Sequence, residues 1–281
     1  MASEQLELIR EAAVYVKSRT KLVPEVGVIL GTGLGDFANA LQVDTVIPYA
    51  DIPHWPSSTV ESHAGELHVG MLAGRRVAVM KGRVHYYEGY SMRQVSFPVR
   101  VLKALGCGTL IVTNACGGMN PNMPAGTIVV TQDHINLMGD NPLRGDNDEE
   151  LGVRFPDMSE PYSRALIALA EQVARDEKIP LQRGVFVAVA GPNLETPAEY
   201  RFLRGIGADV VGMSLVPENL VAVHGGMRVL AFNVVTDACL PDALHPVDIA
   251  AVLAVAARTA PSLQRLLAGV LARLDEAKPQ D

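Results

Sequence analysis

Cysteine is scarce in this chain: Cys107, Cys116 and Cys239 are the full set, odd in number and widely spaced. That argues against a disulfide framework and fits a reducing compartment. Long apolar runs are missing too. The longest, residues 249–257, is about half of the roughly 18 residues a membrane helix needs. Basic residues are outnumbered, 24 Lys and Arg against 31 Asp and Glu for a formal net charge of −7. This balance gives no general attraction for nucleic acid or anionic lipid, although one pocket can still be locally positive and take a small anion. The opening Met1-Ala2-Ser3-Glu4-Gln5-Leu6-Glu7 carries acids where a secretion signal carries Lys or Arg. The expectation is a cytoplasmic protein that binds neither nucleic acid nor a membrane.

What is present is material for a core. Hydrophobic residues make up 48% of the 281 residues and charged residues 20%, the balance of a globular domain and not of a disordered tail. No internal repeat, low-complexity tract or Ser/Gly linker marks a boundary, so a single domain over residues 1–281 is expected. Leu6, Ile9, Ala13 and Val16 recur at helical spacing and predict an opening amphipathic helix. Short β-branched and apolar runs follow at residues 26–30, 77–80, 109–113, 127–131, 184–189, 208–211 and 229–235. They are apolar on successive positions, the pattern of strands covered on both faces in a mainly parallel sheet. Helical patterns lie between them at 92–105, 162–177, 197–203, 216–224 and 247–274, with Pro98 and Pro261 expected to kink or divide two of these. The alternation predicts an α/β fold, a central mixed, mainly parallel β-sheet flanked by helices. Two stretches fall outside this plan: the proline-rich 49–65 and the polar, aperiodic 138–161. Both are candidate site lids or subunit contacts, or else long surface excursions.

The residues able to carry chemistry cluster at strand ends, where α/β sheets hold their ligands. Gly31-Thr32-Gly33-Leu34-Gly35 directly follows the first strand. Its glycines let successive N–H groups turn toward one centre as an anion nest, and the Thr32 hydroxyl adds a donor. A dinucleotide fingerprint would need glycine where Asp36 stands, and Asp51 lies in the proline-rich loop instead of at a strand end. Lys81-Gly82-Arg83-Val84-His85-Tyr86-Tyr87-Glu88-Gly89-Tyr90 follows another strand. In extended chain Arg83 and His85 face one side, and a guanidinium there can hold two oxygens of a phosphate at once.

Thr113-Asn114-Ala115-Cys116-Gly117-Gly118 reads three ways: a second N–H cradle, a nucleophile elbow with Cys116 as thiolate, or a buried site in which Cys116 merely packs. In Gly191-Pro192-Asn193-Leu194-Glu195-Thr196-Pro197-Ala198-Glu199, Thr196 serves as N-cap, Pro197 as first helical residue and Glu199 as capping-box partner. Glu195 is left unexplained. Val211-Gly212-Met213-Ser214 and Thr236-Asp237 end two more strands with polar groups. The seven histidines lack His-Glu-x-x-His or Cys-x-x-Cys partners, so no metal site is expected. His63 and His85 sit in site-like loops, whereas His134 and His224 read as structural.

Taken with Ser62-His63-Ala64-Gly65, Asn141-Pro142-Leu143-Arg144-Gly145 and Leu215-Val216-Pro217-Glu218, these segments resemble, in order and over almost the whole chain, the trimeric class of purine nucleoside phosphorylases, including its methylthioadenosine phosphorylase branch. The resemblance implies a nucleoside phosphorylase-like α/β fold, a homotrimer, no metal or organic cofactor, and inorganic phosphate as co-substrate. It implies reversible phosphorolysis of purine (deoxy)ribonucleosides to free base and pentose 1-phosphate, in purine salvage. It sets Thr32, His63, Arg83, His85, Ser214 and the Ala115 backbone around phosphate. It sets Tyr87, Val211 and Met213 along the nucleoside, Leu194 beside the base, His245 at the 5′-hydroxyl, and Phe155 over the sugar of the neighbouring subunit. His85, Glu195 and Asp237 are its catalytic set, with Glu195 accepting from N1–H and the 2-amino group of a 6-oxopurine and Asp237 meeting N7.

The chain departs from the family pattern in places. Thr32 replaces a common serine and keeps the donor; Cys116 and Leu194 stand where small and aromatic residues are usual. Members acting on 6-oxopurines carry Asn at the Asp237 position and those acting on 6-aminopurines carry Asp. An ionised Asp only accepts, which suits an N6-amino group, whereas Glu195 points to guanine or hypoxanthine. Two carboxyl groups in one pocket disfavour double ionisation, and a protonated Asp237 would itself donate to N7. Guanosine and inosine are the expected substrates, with an adenosine- or methylthioadenosine-preferring enzyme as the alternative. His245 favours hydroxyl nucleosides over methylthio ones. A non-catalytic nucleoside-binding protein is the remaining alternative.

Overall fold

The computed structural model describes residues 3–31, 41–58 and 65–277. Its strands are β1 (Val26–Leu30), β2 (Gln42–Pro48), β3 (Glu66–Leu72), β4 (Arg75–Lys81), β5 (Thr109–Gly118), β6 (Ile128–Leu137), β7 (Leu181–Val189), β8 (Val210–Gly212) and β9 (Arg228–Ala238). The helices are α1 (Glu4–Arg19), α2 (Met92–Leu105), α3 (Arg164–Asp176), α4 (Pro197–Gly205), α5 (Val216–His224) and α6 (Ile249–Ala272). Every continuous apolar run read from the sequence becomes a strand. β1, buried at all its positions, lies parallel between β4 and β5, and β5 lies parallel to β9. These strands point their carboxyl ends the same way.

From β5 the sheet passes through β8, β7 and β6 to β9, which pairs back onto β5, so five strands close on themselves. On the other side β4 continues antiparallel into β3 and β2. Among the described residues five of the nine strand pairings are parallel and four antiparallel. The sheet is mixed as expected, with a parallel bias that is only slight.

β2 and β3 supply two of the antiparallel pairings and were not legible as strands. β2 is exposed at most positions, and β3 breaks its apolar run with His68 and Gly70. Neither proline divides its helix: α2 runs through Pro98 and α6 through Pro261. Each proline forfeits one backbone bond, but Phe97, Val99 and Leu102 around the first and Ala260, Leu263 and Leu266 around the second are buried in the core. Packing of that kind outweighs a local propensity. α4 begins as read, with Thr196 as N-cap, Pro197 in the first turn and Thr196 and Glu199 closing a capping box. Among the described residues no helix is long and apolar enough to cross a membrane.

The polar stretch after β6 is held by side chains bonded to backbone. Arg154 Nη1 donates to Gly145 O at 2.6 Å and Arg93 Nη2 to Arg144 O at 3.0 Å. Beneath it, buried Arg100 donates to His224 Nδ1 at 3.1 Å, and His224 Nε2 meets Asn147 Oδ1 at 3.3 Å. The same stretch presents Val153 and Phe155, 64% and 85% exposed. The structural reading of His134 and His224 holds: His134 Nδ1 lies 3.0 Å from the buried Tyr162 hydroxyl.

Burial, and then the Arg100 charge, push His224 below its ordinary value of 6.5. In the unfolded chain His224 titrates near that value, so below it the unfolded state binds more protons. Stability present above pH 6.5 is therefore lost as pH falls through the lower folded value. Thermal unfolding measured from pH 7.5 to 5 should show a drop in Tm that is shallower in His224→Gln; parallel curves for the two proteins would contradict it.

Candidate active site

A cavity of about 220 Å³ opens at the carboxyl ends of β1, β4, β5 and β9, the end where α/β folds hold ligands. Six segments singled out in the sequence meet there. Arg83, His85 and Tyr87 come from the turn after β4, and residues 114–117 from the end of β5. Leu194 and Glu195 come from the loop after β7, Val211 to Ser214 from the end of β8 and the turn after it, and Thr236 and Asp237 from β9. Gly31 closes the wall, its N–H bonded to Thr113 Oγ1 at 3.0 Å. Val247, Ile249 and Val252, at and before the start of α6, line the mouth.

One end of the cavity rests on a buried polar chain. Arg83 is 3% exposed; its Nη1 donates to Asn114 Oδ1 at 2.7 Å and to Glu218 Oε1 at 3.2 Å, and its Nη2 to Thr113 O. Asn114 Oδ1 also accepts from Ser214 Oγ at 3.0 Å, while its Nδ2 donates to Asn233 Oδ1 at 3.0 Å. Asn233 donates in turn to Thr131 Oγ1 at 2.7 Å. Burial pushes the Glu218 carboxyl up and the Arg83 guanidinium down, and each partner's charge opposes the other's shift. Arg83 and Ser214 are thereby fixed to the same side chain, Asn114.

Next to them, Glu88 Oε1 accepts from the His85 backbone N–H at 2.7 Å and meets the ring Nδ1 at 3.1 Å. A carboxylate only accepts, so the ring hydrogen sits on Nδ1. The ring stacks on Tyr87 with centroids 4.8 Å apart and planes 12° apart. Burial, followed by the Glu88 charge, pushes the Tyr87 hydroxyl up.

Met213 and Ser214 owe their placement to a tight turn. Leu215 has φ 72° and ψ −52°, with Val216 N–H bonded to Ser214 O at 2.8 Å. Such a γ-turn is rare for a residue with a side chain and costs roughly 1–3 kcal/mol. The fully buried Leu215 side chain and the Glu218 carboxylate, which accepts from the Leu215 N–H, hold it. Gly191 lets the loop after β7 close on the same spot: its φ is 66°, and a Cβ there would lie 2.3 Å from Met213 Sδ.

The other end carries two carboxylates, Glu195 and Asp237. Asp237 Oδ1 accepts from Thr236 Oγ1 at 3.0 Å and Oδ2 from Cys239 Sγ at 3.1 Å. Buried Tyr200 interacts with both Cys239 and Glu195. Along β5, then, Asn114 holds Arg83 and Ser214 while Gly117, three residues on, pairs with Asp237, so a guanidinium and the carboxyl groups stand apart within one cavity.

Arg83, His85, Tyr87, Ala115, Leu194, Glu195, Val211, Met213, Ser214 and Asp237 are thus brought together as the sequence reading required. Thr32 and His63, with the rest of the glycine loop and of the Ser62-His63-Ala64 segment, lie outside the described residues. Phe155 and His245 are exposed and do not line this chain's cavity. The Cys116 nucleophile reading fails: the thiol is buried, donates to Val234 O at 3.4 Å, and is pushed well up by burial and then by Asp237. A thiolate needs the opposite surroundings. Five site residues had no role in the sequence reading: Glu88, Asn114, Glu218, Tyr200 and Cys239. Glu88 stands three residues after His85 and Glu218 follows a helix-opening proline, and both spacings were visible.

A family model for the phosphorylase superfamily matches residues 25–272. Purine nucleoside phosphorylase 1 of Bacillus subtilis (strain 168) is 48% identical over 267 residues, covering 95% of this chain and 98% of that protein. The crystal structure of Schistosoma mansoni purine nucleoside phosphorylase in complex with adenosine superposes with TM-score 0.91 at 40% identity, covering 98% of this chain and 99% of the other. Its complex with inosine gives TM-score 0.91 at 39% identity over 98% of each chain. With the segments in family order, the mixed sheet and one cavity gathering them, the chain belongs to the purine nucleoside phosphorylase family of pentosyltransferases, within the phosphorylase superfamily.

Proposed function

We propose that this enzyme carries out reversible phosphorolysis of guanosine and inosine, and of their deoxy forms, to free base and pentose 1-phosphate, as a cytoplasmic step of purine salvage. The observation that carries the reading is the polarity of the cavity: Arg83, His85 and Ser214 at one end, Glu195 and Asp237 at the other. Breaking an N-glycosidic bond builds positive charge on the sugar and negative charge on the departing base. A phosphate held by Arg83, His85, Ser214 and the Ala115 backbone, with Thr32 and His63 completing the set, stabilises the sugar cation and is the nucleophile. Arg83, fixed in advance by Asn114 and Glu218, need not reorganise as the charge develops, whereas the Ser214 hydroxyl turns from Asn114 to donate to the phosphate.

Tyr87, Val211 and Met213 flank the sugar, and Leu194 leaves more room beside the base than an aromatic ring would. Glu195 accepts from N1–H and the 2-amino group, and Asp237 assists departure at N7. Inorganic phosphate is the co-substrate, and no metal or organic cofactor is required. The exposure of Phe155, at 85%, fits a homotrimer in which it covers the sugar of the next subunit, with His245 meeting the 5′-hydroxyl when the mouth closes.

A second reading, preference for adenosine, draws support from Asp237, whose two oxygens already accept from Thr236 and Cys239. The relative from Schistosoma mansoni has been crystallised with adenosine and with inosine. The test is a panel of guanosine, inosine, adenosine and methylthioadenosine with and without phosphate. Phosphate-dependent release of base, greatest from guanosine and inosine, is expected. Release from none of the four would overturn the phosphorylase reading, and binding without turnover would favour a sensor.

A further inference from the structure

Asn233 lies in the middle of β9, is fully buried, and does not line the cavity. It pairs in register with Asn114 on β5, and its neighbours along β9, Phe232 and Val234, are buried and apolar. An aliphatic side chain would satisfy that core, so the amide needs another reason. Hydrogen-bond polarity supplies one. The Arg83 guanidinium only donates, so Asn114 has to turn its carbonyl oxygen toward it, at 2.7 Å. The Asn114 nitrogen then faces Asn233, which answers with its own oxygen at 3.0 Å. The Asn233 nitrogen in turn donates to Thr131 Oγ1 on β6, 2.7 Å away. Three buried side chains on β5, β9 and β6 thus form a line with one direction, set at the cavity by a cation. A flip of the Asn114 amide would put its NH2 against the guanidinium and its oxygen against that of Asn233, so it is opposed at both ends.

We propose that Asn233 is a positioning residue for phosphate: by holding the Asn114 amide with its carbonyl toward the cavity it fixes the Arg83 guanidinium, although it touches neither Arg83 nor the cavity. The inference rests on the reading in which Arg83 binds phosphate. Without Asn233 the Asn114 nitrogen is buried and unpaired, and the amide gains by turning away from Arg83 to find another acceptor. The guanidinium then keeps Glu218 and the Thr113 carbonyl but loses the contact that sets it against the end of β5. Thr131 is the far anchor of the line, one step further from the cavity. Nothing in the line reaches Glu195 or Asp237, so the purine end is left as it is.

The experiment measures KM for phosphate and KM for inosine separately in the wild type, Asn233→Leu, Asn233→Asp and Thr131→Val, with thermal unfolding as the folding control. Leucine should raise KM for phosphate about fivefold to tenfold, the worth of one buried hydrogen bond, and leave KM for inosine unchanged. Aspartate keeps an oxygen toward Asn114 whether ionised or neutral, and should restore KM for phosphate to within about twofold of the wild type. An unchanged phosphate KM in a folded Asn233→Leu, an equal rise for both substrates, or a folded Asn233→Asp as impaired as the leucine variant overturns the proposal. If the leucine variant does not fold, Thr131→Val decides. It removes the last acceptor alone, so a rise confined to phosphate supports the proposal and an unmoved phosphate KM overturns it. A wild type that turns over no purine nucleoside with phosphate overturns the phosphorylase reading as well, whereas an active wild type with an insensitive phosphate KM in the variants removes only the role of Asn233.

Discussion

Replacing Arg83 with alanine is expected to lower kcat/KM for phosphate by roughly 10²–10³-fold, the usual loss when a fixed donor to a developing charge is removed. Stability should fall too. Glu218, 2% exposed, would keep a buried carboxylate with its cation gone, and breaking such a pair costs about 3–5 kcal/mol. These two effects are separable, because the phosphate role belongs to Arg83 whereas the stability loss belongs to the pair. The double variant Arg83→Met with Glu218→Gln should recover most of the lost Tm, since no unpaired charge remains, while staying defective in phosphate use. A double variant that recovers phosphate saturation would reduce Arg83 to a structural residue. The reverse single change, Glu218→Gln, should weaken phosphate use less than the loss of Arg83 itself, since Asn114 and the Thr113 carbonyl still hold the guanidinium.

Asp237→Ala should lower kcat for purine nucleosides by roughly 10²-fold or more, the low end of what a positioned acid or hydrogen-bonding partner supplies to a leaving group. KM should move much less, because the interaction strengthens as the base departs. Asp237→Asn should behave differently. An amide can donate to N7 and contact O6, so turnover of inosine and guanosine should persist or rise while adenosine falls. An Asp237→Ala enzyme with undiminished kcat would show that the base leaves without help from this side chain. Asparagine keeps a polar group that can donate to N7 and alanine keeps none, so the comparison tests help at the leaving base.

The sequence carried the central strands because 26–30, 109–113 and 229–235 are apolar on successive positions, a direct consequence of being covered on both faces. It carried the cavity because strand ends rich in donors and acceptors fell in one topological place. Gln42–Pro48 was hidden because this edge strand is exposed along most of its length, and the inner strand Glu66–Leu72 because His68 and Gly70 interrupt its apolar run. Cys116 left three readings open from its neighbours in the chain, and its burial against Val234 decides between them. The partners of Arg83 were beyond reach for a different reason. Asn114, Glu218 and Asn233 come from three elements far apart in the chain, and a hydrogen-bond chain among them leaves no spacing to read. Glu88 was within reach, since an i, i+3 pair in a single turn is a local feature.

The central claim is that an oxyanion and a purine occupy opposite ends of one cavity, with room for a pentose between them. The measurement that meets it most directly is a crystal structure of the protein with phosphate and hypoxanthine bound. The account predicts phosphate on Arg83, His85 and Ser214, and the base on Glu195 and Asp237, separated by a sugar-sized gap beside Tyr87 and Met213. Two ligands in separate clefts, or a phosphate seated against the carboxylates, would contradict it.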